Sequence, residues 1–303
     1  GQGKKTWPDG SQYVGAFKDN KQNGTGTYTY VDGTTYVGDF IDDVKTGQGT
    51  KTWGAETEFA GDIYVGAFKE NQENGQGTYT HTNGDQYTGA FKDGKRNGQG
   101  IFKLASIGDI YEGDFKDDRQ NGQGIYTFSN GDTYIGALTD DLFDGQGTYN
   151  HVNGDQYVGS FKHGKRAGNG RLTLAASGST YVGDWRDDKQ NGQGRYTYAD
   201  GSTYTGAFID DVKSGKGTKI WGAKTSRAGH RYVGMFENNK PNGKGNYTYA
   251  DGTKYVGFFS DGVKTGQGTK TWGPESALAG DRYVGAFKNN HLMTCTRKLL
   301  SCS

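Results

Sequence analysis

Five histidines, five adjacent aspartate pairs and a train of Gly-x-Gly triplets are the features of this 303-residue chain whose residue types could do chemistry. Histidines that work as a base or hold zinc must converge on one point. Here His81 and His151 stand where Tyr30 and Trp53 stand in other repeats, His163 falls in a turn, His230 in a long connection and His291 near the end. A Gly-x-Gly that cradles phosphate follows a buried apolar strand and opens a helix. These open a polar strand instead, from Gly24/Gly26 to Gly266/Gly268. Asp42-Asp43, Asp117-Asp118, Asp140-Asp141, Asp187-Asp188 and Asp210-Asp211 could ligate calcium, but the loop closed by a bidentate Glu is missing. A glycosidase pair must flank a cleft, and nothing singles out one pair among so many. No nucleophile, base and orienting group assemble, so the expectation is a non-enzyme with no catalytic residue, cofactor or metal.

The elements that carry these residues are one unit written many times. "TYVGDFIDDVKTGQGTKTW" (35–53) returns as "TYTGAFIDDVKSGKGTKIW" (203–221). A Tyr-x-Gly triplet starts at Tyr13, Tyr36, Tyr64, Tyr87, Tyr111, Tyr134, Tyr157, Tyr181, Tyr204, Tyr232, Tyr255 and Tyr283. An aromatic follows the triplet's Gly by two residues in every unit except at Leu138, and Gly-x-Gly begins nine residues after that Gly in all units but the last. Alternation puts Tyr36, Gly38 and Phe40 on one face of a strand, and Tyr28 and Tyr30 on one face of the next. The unit is therefore a β-hairpin. The triplet Gly leaves a slot over which a neighbouring ring can lie. Asn-Gly pairs such as Asn23-Gly24 and Asn121-Gly122 are expected to end the turn inside the hairpin, and pairs such as Asp32-Gly33 the turn to the next hairpin. One hairpin is marginal alone, but a series can pair edge to edge. The fold class expected is all-β: an elongated, single-layer antiparallel array of consecutive hairpins, on the order of 110 Å long at about 4.8 Å per strand.

Composition agrees. Aromatics are 14% of the chain, glycine supplies 54 residues and proline only three. The net charge of +1 gives no general attraction to nucleic acid or an anionic membrane. Cys295 and Cys302 sit together near the end and cannot build a disulfide framework for the body, which is compatible with a reducing, cytoplasmic setting. No apolar run is long enough to span a bilayer as a helix. Because the chain opens at Gly1 within a unit, an upstream targeting signal or catalytic domain would lie outside this sequence.

The Tyr-x-Gly, Phe and Gly-x-Gly-x-Tyr positions of "YVGAFKDNKQNGTGTYTYVDG" (13–33) resemble the MORN (membrane occupation and recognition nexus) repeat. The resemblance covers 1–290 as an array of about twelve hairpins plus an N-terminal half unit, leaving 291–303 as a non-repeat tail in which Thr294-Cys295-Thr296 replaces Gly-x-Gly. It implies a scaffold or protein-interaction module at cytoskeletal and membrane junctions. It equally allows a peripheral phospholipid-binding module, or the accessory region of an enzyme whose catalytic part lies elsewhere.

Four units depart from the rest. Trp7, Trp53, Trp221 and Trp272 each follow a Lys by two residues, at Lys5, Lys51, Lys219 and Lys270, where other units mostly carry an aromatic. The last three precede enlarged connections, "GAETEFAGDI", "GAKTSRAGHR" and "GPESALAGDR". Extra loops on a regular array often carry binding. The candidate partner contacts are thus Trp53, Trp221, Trp272, Lys51, Lys219, Lys270, Glu56, Phe59, Arg227 and Leu278. The partner expected is a protein, with end-to-end self-association through open edge strands as a second route.

Overall fold

The computed structural model describes residues 1–293. They form two compact units, Gly1–Val152 and the part from Asn153 onward. The first holds thirteen strands, from Gln2–Thr6 to Leu142–Asn150, and the second twelve, from Gln156–Lys162 to His291–Leu292. Within each unit every strand pairs antiparallel with its neighbours in the chain, and no helix occurs among the described residues. None is therefore long and apolar enough to cross a membrane. The expected hairpin array is what forms within each unit. Thr294-Cys295-Thr296 and Cys302 lie outside the described residues; His291–Leu292 pairs with Arg282–Lys288.

The core is one face of the sheet, and tyrosine fills it. Tyr36, Tyr64, Tyr87 and Tyr111 are fully buried, with Phe40, Phe68, Phe91 and Phe115 nearly so. Tyr36, Tyr64 and Tyr87 each stand edge-on to the Phe of their own strand and to the Phe of the next unit: Tyr64 lies 5.2 Å from Phe68 and 4.9 Å from Phe91. Tyr111 meets only its own Phe115 this way, because Leu138 follows in the next unit. Such edge-to-face pairs are worth roughly 0.5–1.5 kcal/mol beyond their burial. The slot over the triplet Gly is filled, but by the triplet's own Tyr rather than by a neighbour's ring. Tyr and Gly are two apart and share a face, so the ring leans along its strand. There it covers its own Gly and the Gly paired opposite, and its hydroxyl donates to the carbonyl three residues on (Tyr64 Oη to Ala67 O, 3.0 Å).

The turns differ from expectation in one respect. The hairpin turn is not at Asn-Gly but at the pair before it, Asp19-Asn20, Asp42-Asp43 or Asp117-Asp118, where both residues have positive φ. Two consecutive left-handed residues make the tight turn that matches strand twist, and Asp and Asn tolerate that region best. The glycine of Asn23-Gly24 lies inside the strand Lys21–Thr29, where the register slips between Gly15 and Phe17. Its φ of +97° is that of a bulge, and positive φ at Gly is common to both devices. The connection at Asp32-Gly33 is as expected, a three-residue turn in which Gly33 N–H donates to Tyr30 O (3.1 Å).

Candidate interaction surface

The aspartate pairs have a structural task. The second residue of each turn reaches back to the preceding hairpin. Asp43 Oδ1 accepts from Gln22 N (2.8 Å) while Asp43 N donates to Gln22 O (3.0 Å). Asp118 clasps Arg96, Asp141 clasps Gln120 and Asp211 clasps Gln190 in the same way. A second clasp works at the other end of the strands in eight repeats, through the Asp, Ser or Thr two residues before the Tyr; before Tyr232 that position is His230. Asp62 Oδ1 accepts from Thr82 N (2.9 Å), and its Oδ2 from Tyr79 Oη (2.8 Å), with His81 Nδ1 3.0 Å away. These partners hold the Asp62 carboxyl below its usual range against the opposing effect of burial. His81 and His151 pack on Tyr79 and Tyr149 as expected for rings filling an aromatic position. Among the described residues, no group of three or more His, Cys, Asp or Glu is placed to hold a metal ion.

The Trp units break this regular frame. The residue after Trp53, Trp221 and Trp272 is a glycine pressed onto the preceding turn: a Cβ on Gly54 would lie 2.0 Å from Asp32 O. Gly54 N donates to Thr34 Oγ1 (3.1 Å), and Gly222 and Gly273 repeat the contact with Ser202 and Thr253. From that anchor the enlarged loop folds over its Trp. Trp53 N donates to Asp62 O (3.0 Å), and Phe59 meets the indole ring at 6.3 Å. Lys51 Nζ lies 4.1 Å from the centre of the Trp53 ring and pairs with Glu73 (3.0 Å). Tyr79 packs on Trp53 as well, at 5.0 Å between ring centres.

Trp53 thus stands as a ridge between two open grooves, one of about 410 Å³ and one of about 390 Å³. The first is lined by Glu73, Tyr79, His81 and Arg96, the second by Tyr30, Lys45, Thr57 and Glu58, with Lys51 and Phe59 shared. Glu56 is exposed on the loop and borders neither groove. In the second unit Lys219 Nζ lies 5.0 Å from the Trp221 ring and Arg227 Cζ 5.9 Å from it, while Tyr247 packs on it at 5.4 Å. His230 Nδ1 meets Tyr247 Oη at 2.7 Å, and burial with the nearby Arg227 charge holds its pKa below the ordinary value. Lys270 covers Trp272 at 4.6 Å, and Leu278 is exposed on the following loop.

Three lysines belong with this set and were not singled out by the sequence. Lys45 lies 4.7 Å from the Tyr30 ring and 5.2 Å from the Tyr36 ring. Lys213 lies over Tyr198 and Tyr204, and Lys264 over Tyr247, Tyr249 and Tyr255, donating also to the Tyr249 hydroxyl. Burial pushes the ammonium groups of Lys213 and Lys264 down to about 8, and that of Lys45 down as well. The signal was available: the dipeptide Val-Lys follows the turn only in the units of Lys45, Lys213 and Lys264, the same units whose second strand ends in Trp. Their cross-strand partners are Phe40, Phe208 and Phe259.

A family model described as the MORN repeat matches residues 1–12, 13–35, 36–55, 64–86, 87–106, 111–133, 134–156, 157–178, 181–203, 204–225, 232–254 and 255–275. No curated protein matches the sequence. Among solved structures, the TCP10 domain of Danio rerio CPAP is 11% identical, with 68% of this chain and 98% of that chain covered and a TM-score of 0.39. The SAS-4 (dCPAP) TCP domain of Drosophila melanogaster, solved with a proline-rich motif of Ana2, is 14% identical, with 54% and 84% covered and a TM-score of 0.33.

Proposed function

Since the chain belongs to the MORN repeat family, we propose that it is a non-enzymatic scaffold that engages a protein partner through the grooves beside its Trp-capped loops. The observation that carries this reading is the Trp53 ridge. A half-exposed indole is held by Lys51, Tyr79 and Phe59, with an open groove on each side bearing both aromatic rings and charges. Interface hot spots have this composition, an aromatic anchor ringed by Arg, Tyr and paired charges. The other two loops repeat the Lys-covered Trp, and the three carry different residues at the tip, Phe59, Arg227 and Leu278, so one scaffold offers three related but distinct contacts. Linked weak contacts then combine.

The test uses the intact chain with a photo-crosslinking residue at Phe59 or Leu278, set beside a variant whose three loops are trimmed to the short Asp-Gly connection. Crosslinked partners that disappear on trimming support the reading. A loop-trimmed chain that folds and keeps every partner refutes it.

A further inference from the structure

The net charge of +1 conceals a segregation that only the register of the strands displays. The sheet face opposite the Tyr core carries, in its central band, the residues one before, one after and three after each triplet Tyr, together with their cross-strand partners. In the first unit this band holds two cations, Lys4 and Lys103, and three carboxylates, Asp39, Glu112 and Asp114. In the second it holds seven cations and one carboxylate, Asp184, whose oxygens accept from Asn169 and from Gln193 N.

Three of the seven form a straight row. Arg231 pairs with Thr248, Thr248 with Lys254, Lys254 with Thr271 and Thr271 with Arg282. A cation therefore stands on every second strand, with a small neutral Thr between, at a repeat of about 9.6 Å across the sheet. Arg231, Lys254 and Arg282 are exposed and join no ion pair among the described residues. Arg171 and Arg195 continue the two-strand spacing in a parallel row, with Val182 between them. Lys216 and Lys244 oppose Met235 and Phe258, which are 39% and 42% exposed where other units carry Ala, Ser or Asp.

We propose that this basic face binds an acidic protein segment in the extended polyproline II conformation, lying across the strands. The argument is charge complementarity in register. Polyproline II has three residues per turn and advances about 9.3 Å per turn, so Glu or Asp at every third residue lines one side of it at nearly the spacing of the cation row. A β-strand cannot do this, because residues three apart point to opposite faces. Acidic chains favour extended forms through self-repulsion. A bilayer or a nucleic-acid duplex would be drawn to the same charge but has no use for its spacing. Within this unit the basic residues lie on the strand face opposite that of Lys219 and Lys270, which pair with Tyr204 and Tyr255, and the site does not depend on the Trp loops.

The probe is a fluorescent (Glu-Pro-Pro)5 peptide titrated with the intact chain at low salt, beside (Glu-Pro-Pro-Pro)5, which has the same five charges at a mismatched spacing. The in-register peptide should bind at least ten-fold more tightly. The triple variant Arg231→Glu, Lys254→Glu, Arg282→Glu should lose at least ten-fold for that peptide, while Lys18→Glu with Lys92→Glu in the first unit should change affinity less than two-fold. Unchanged far-ultraviolet circular dichroism keeps the comparison valid, since all five positions are exposed. Equal affinity for the two spacings overturns the proposal, as does full binding by the triple variant. Tighter capture of phosphatidylserine vesicles or duplex DNA than of the in-register peptide overturns it too, by assigning the face to a polyanion without register.

Discussion

A methyl group on Gly113 should open the middle of the first unit, and its cost can be worked from the contacts it would make. A Cβ there would lie 2.5 Å from Gln123 O, 2.5 Å from Tyr111 Oη and 2.6 Å from the Cα of Gly124 opposite. Two of these are backbone atoms in a paired strand and cannot move aside alone. Overpacking of this kind costs roughly 1–3 kcal/mol. Displacing Tyr111 adds about 1 kcal/mol for its hydroxyl bond to Asp114 O (3.0 Å). Gly113→Ala should therefore cost about 3 kcal/mol locally. The assay is amide hydrogen exchange across the strands Asp109–Lys116 and Arg119–Thr127, where that loss would speed exchange on the order of a hundred-fold. Gly285 is the internal contrast. The three atoms nearest its Cβ all belong to the Tyr283 ring, at 2.6 Å to Oη and 2.8 Å to Cζ. Gly268 pairs with Gly285 on one side, but on the other side the pairing stops at Phe287 and Lys288 among the described residues, so no backbone closes over it there. A ring can swing, so Gly285→Ala should cost about 1 kcal/mol. The two sites also differ in rescue. Tyr283→Ala should relieve the Gly285→Ala penalty in a double-mutant cycle, while Tyr111→Ala should leave most of the Gly113→Ala penalty in place. Equal losses at the two glycines, or full relief by Tyr111→Ala, would refute the steric argument.

The clasp at the hairpin turns predicts that Asp141→Ala costs about 1 kcal/mol through its bond to Gln120 N, whereas Asp140→Ala, whose ion pair with Arg119 is exposed, changes stability by about 0.5 kcal/mol or less; urea melts of the two variants decide it. Gly54→Ala should expel the loop from the Asp32 turn and make 54–62 the first site cut by a dilute protease, with cutting elsewhere unchanged. Alkali should unfold the array. Burial raises Tyr134, Tyr157, Tyr204 and Tyr232 to about 12, and a raised pKa contributes stability that is full below the unfolded value near 10 and is lost as pH rises through the folded one. Tyrosinate absorbance from the core should stay silent at pH 10.5 and appear together with loss of β-structure near pH 12; full ionisation at pH 10.5 in a folded chain would contradict the burial. Lys213 and Lys264 act in the opposite sense. Their lowered pKa values near 8 make stability rise between pH 8 and 10.5, so Lys213→Met and Lys264→Met should flatten that slope in pH-dependent melts.

What the sequence made legible was whatever repeats. A period of two and a Tyr-x-Gly spacing kept twelve times name the strands, their inward face and their order. The hairpin turn was misplaced by a few residues because Asn-Gly and Asp-Asp both supply positive φ, and composition cannot say which closes the hairpin and which makes the bulge. Register decides it: the one-to-one pairing Lys18 with Lys21 leaves only Asp19-Asn20 for the turn. The second clasp was hidden for another reason. Thr34, Asp62, Asp85 and Ser202 differ in type, and only the shared acceptor oxygen two residues before Tyr unites them.

The departures from the repeat, on which the proposed function rests, come in coordinated sets. Where a unit ends in Trp, its Tyr has become Lys two residues earlier, so that Tyr36, Tyr204 and Tyr255 face Lys51, Lys219 and Lys270 across the strand pair. The Lys then covers the Trp, and Val-Lys after the turn sends a second ammonium among the rings of the same unit. A unit built only for packing has no reason to place two desolvated cations against its core, since each gives up hydration that an apolar residue would not. Cation–π contacts return part of that cost, roughly 0.5–2 kcal/mol each. The remainder sets the Trp units apart as places that keep charge and aromatic surface together at a cost in stability, at Trp53 beside two open grooves, as the proposed partner contact requires.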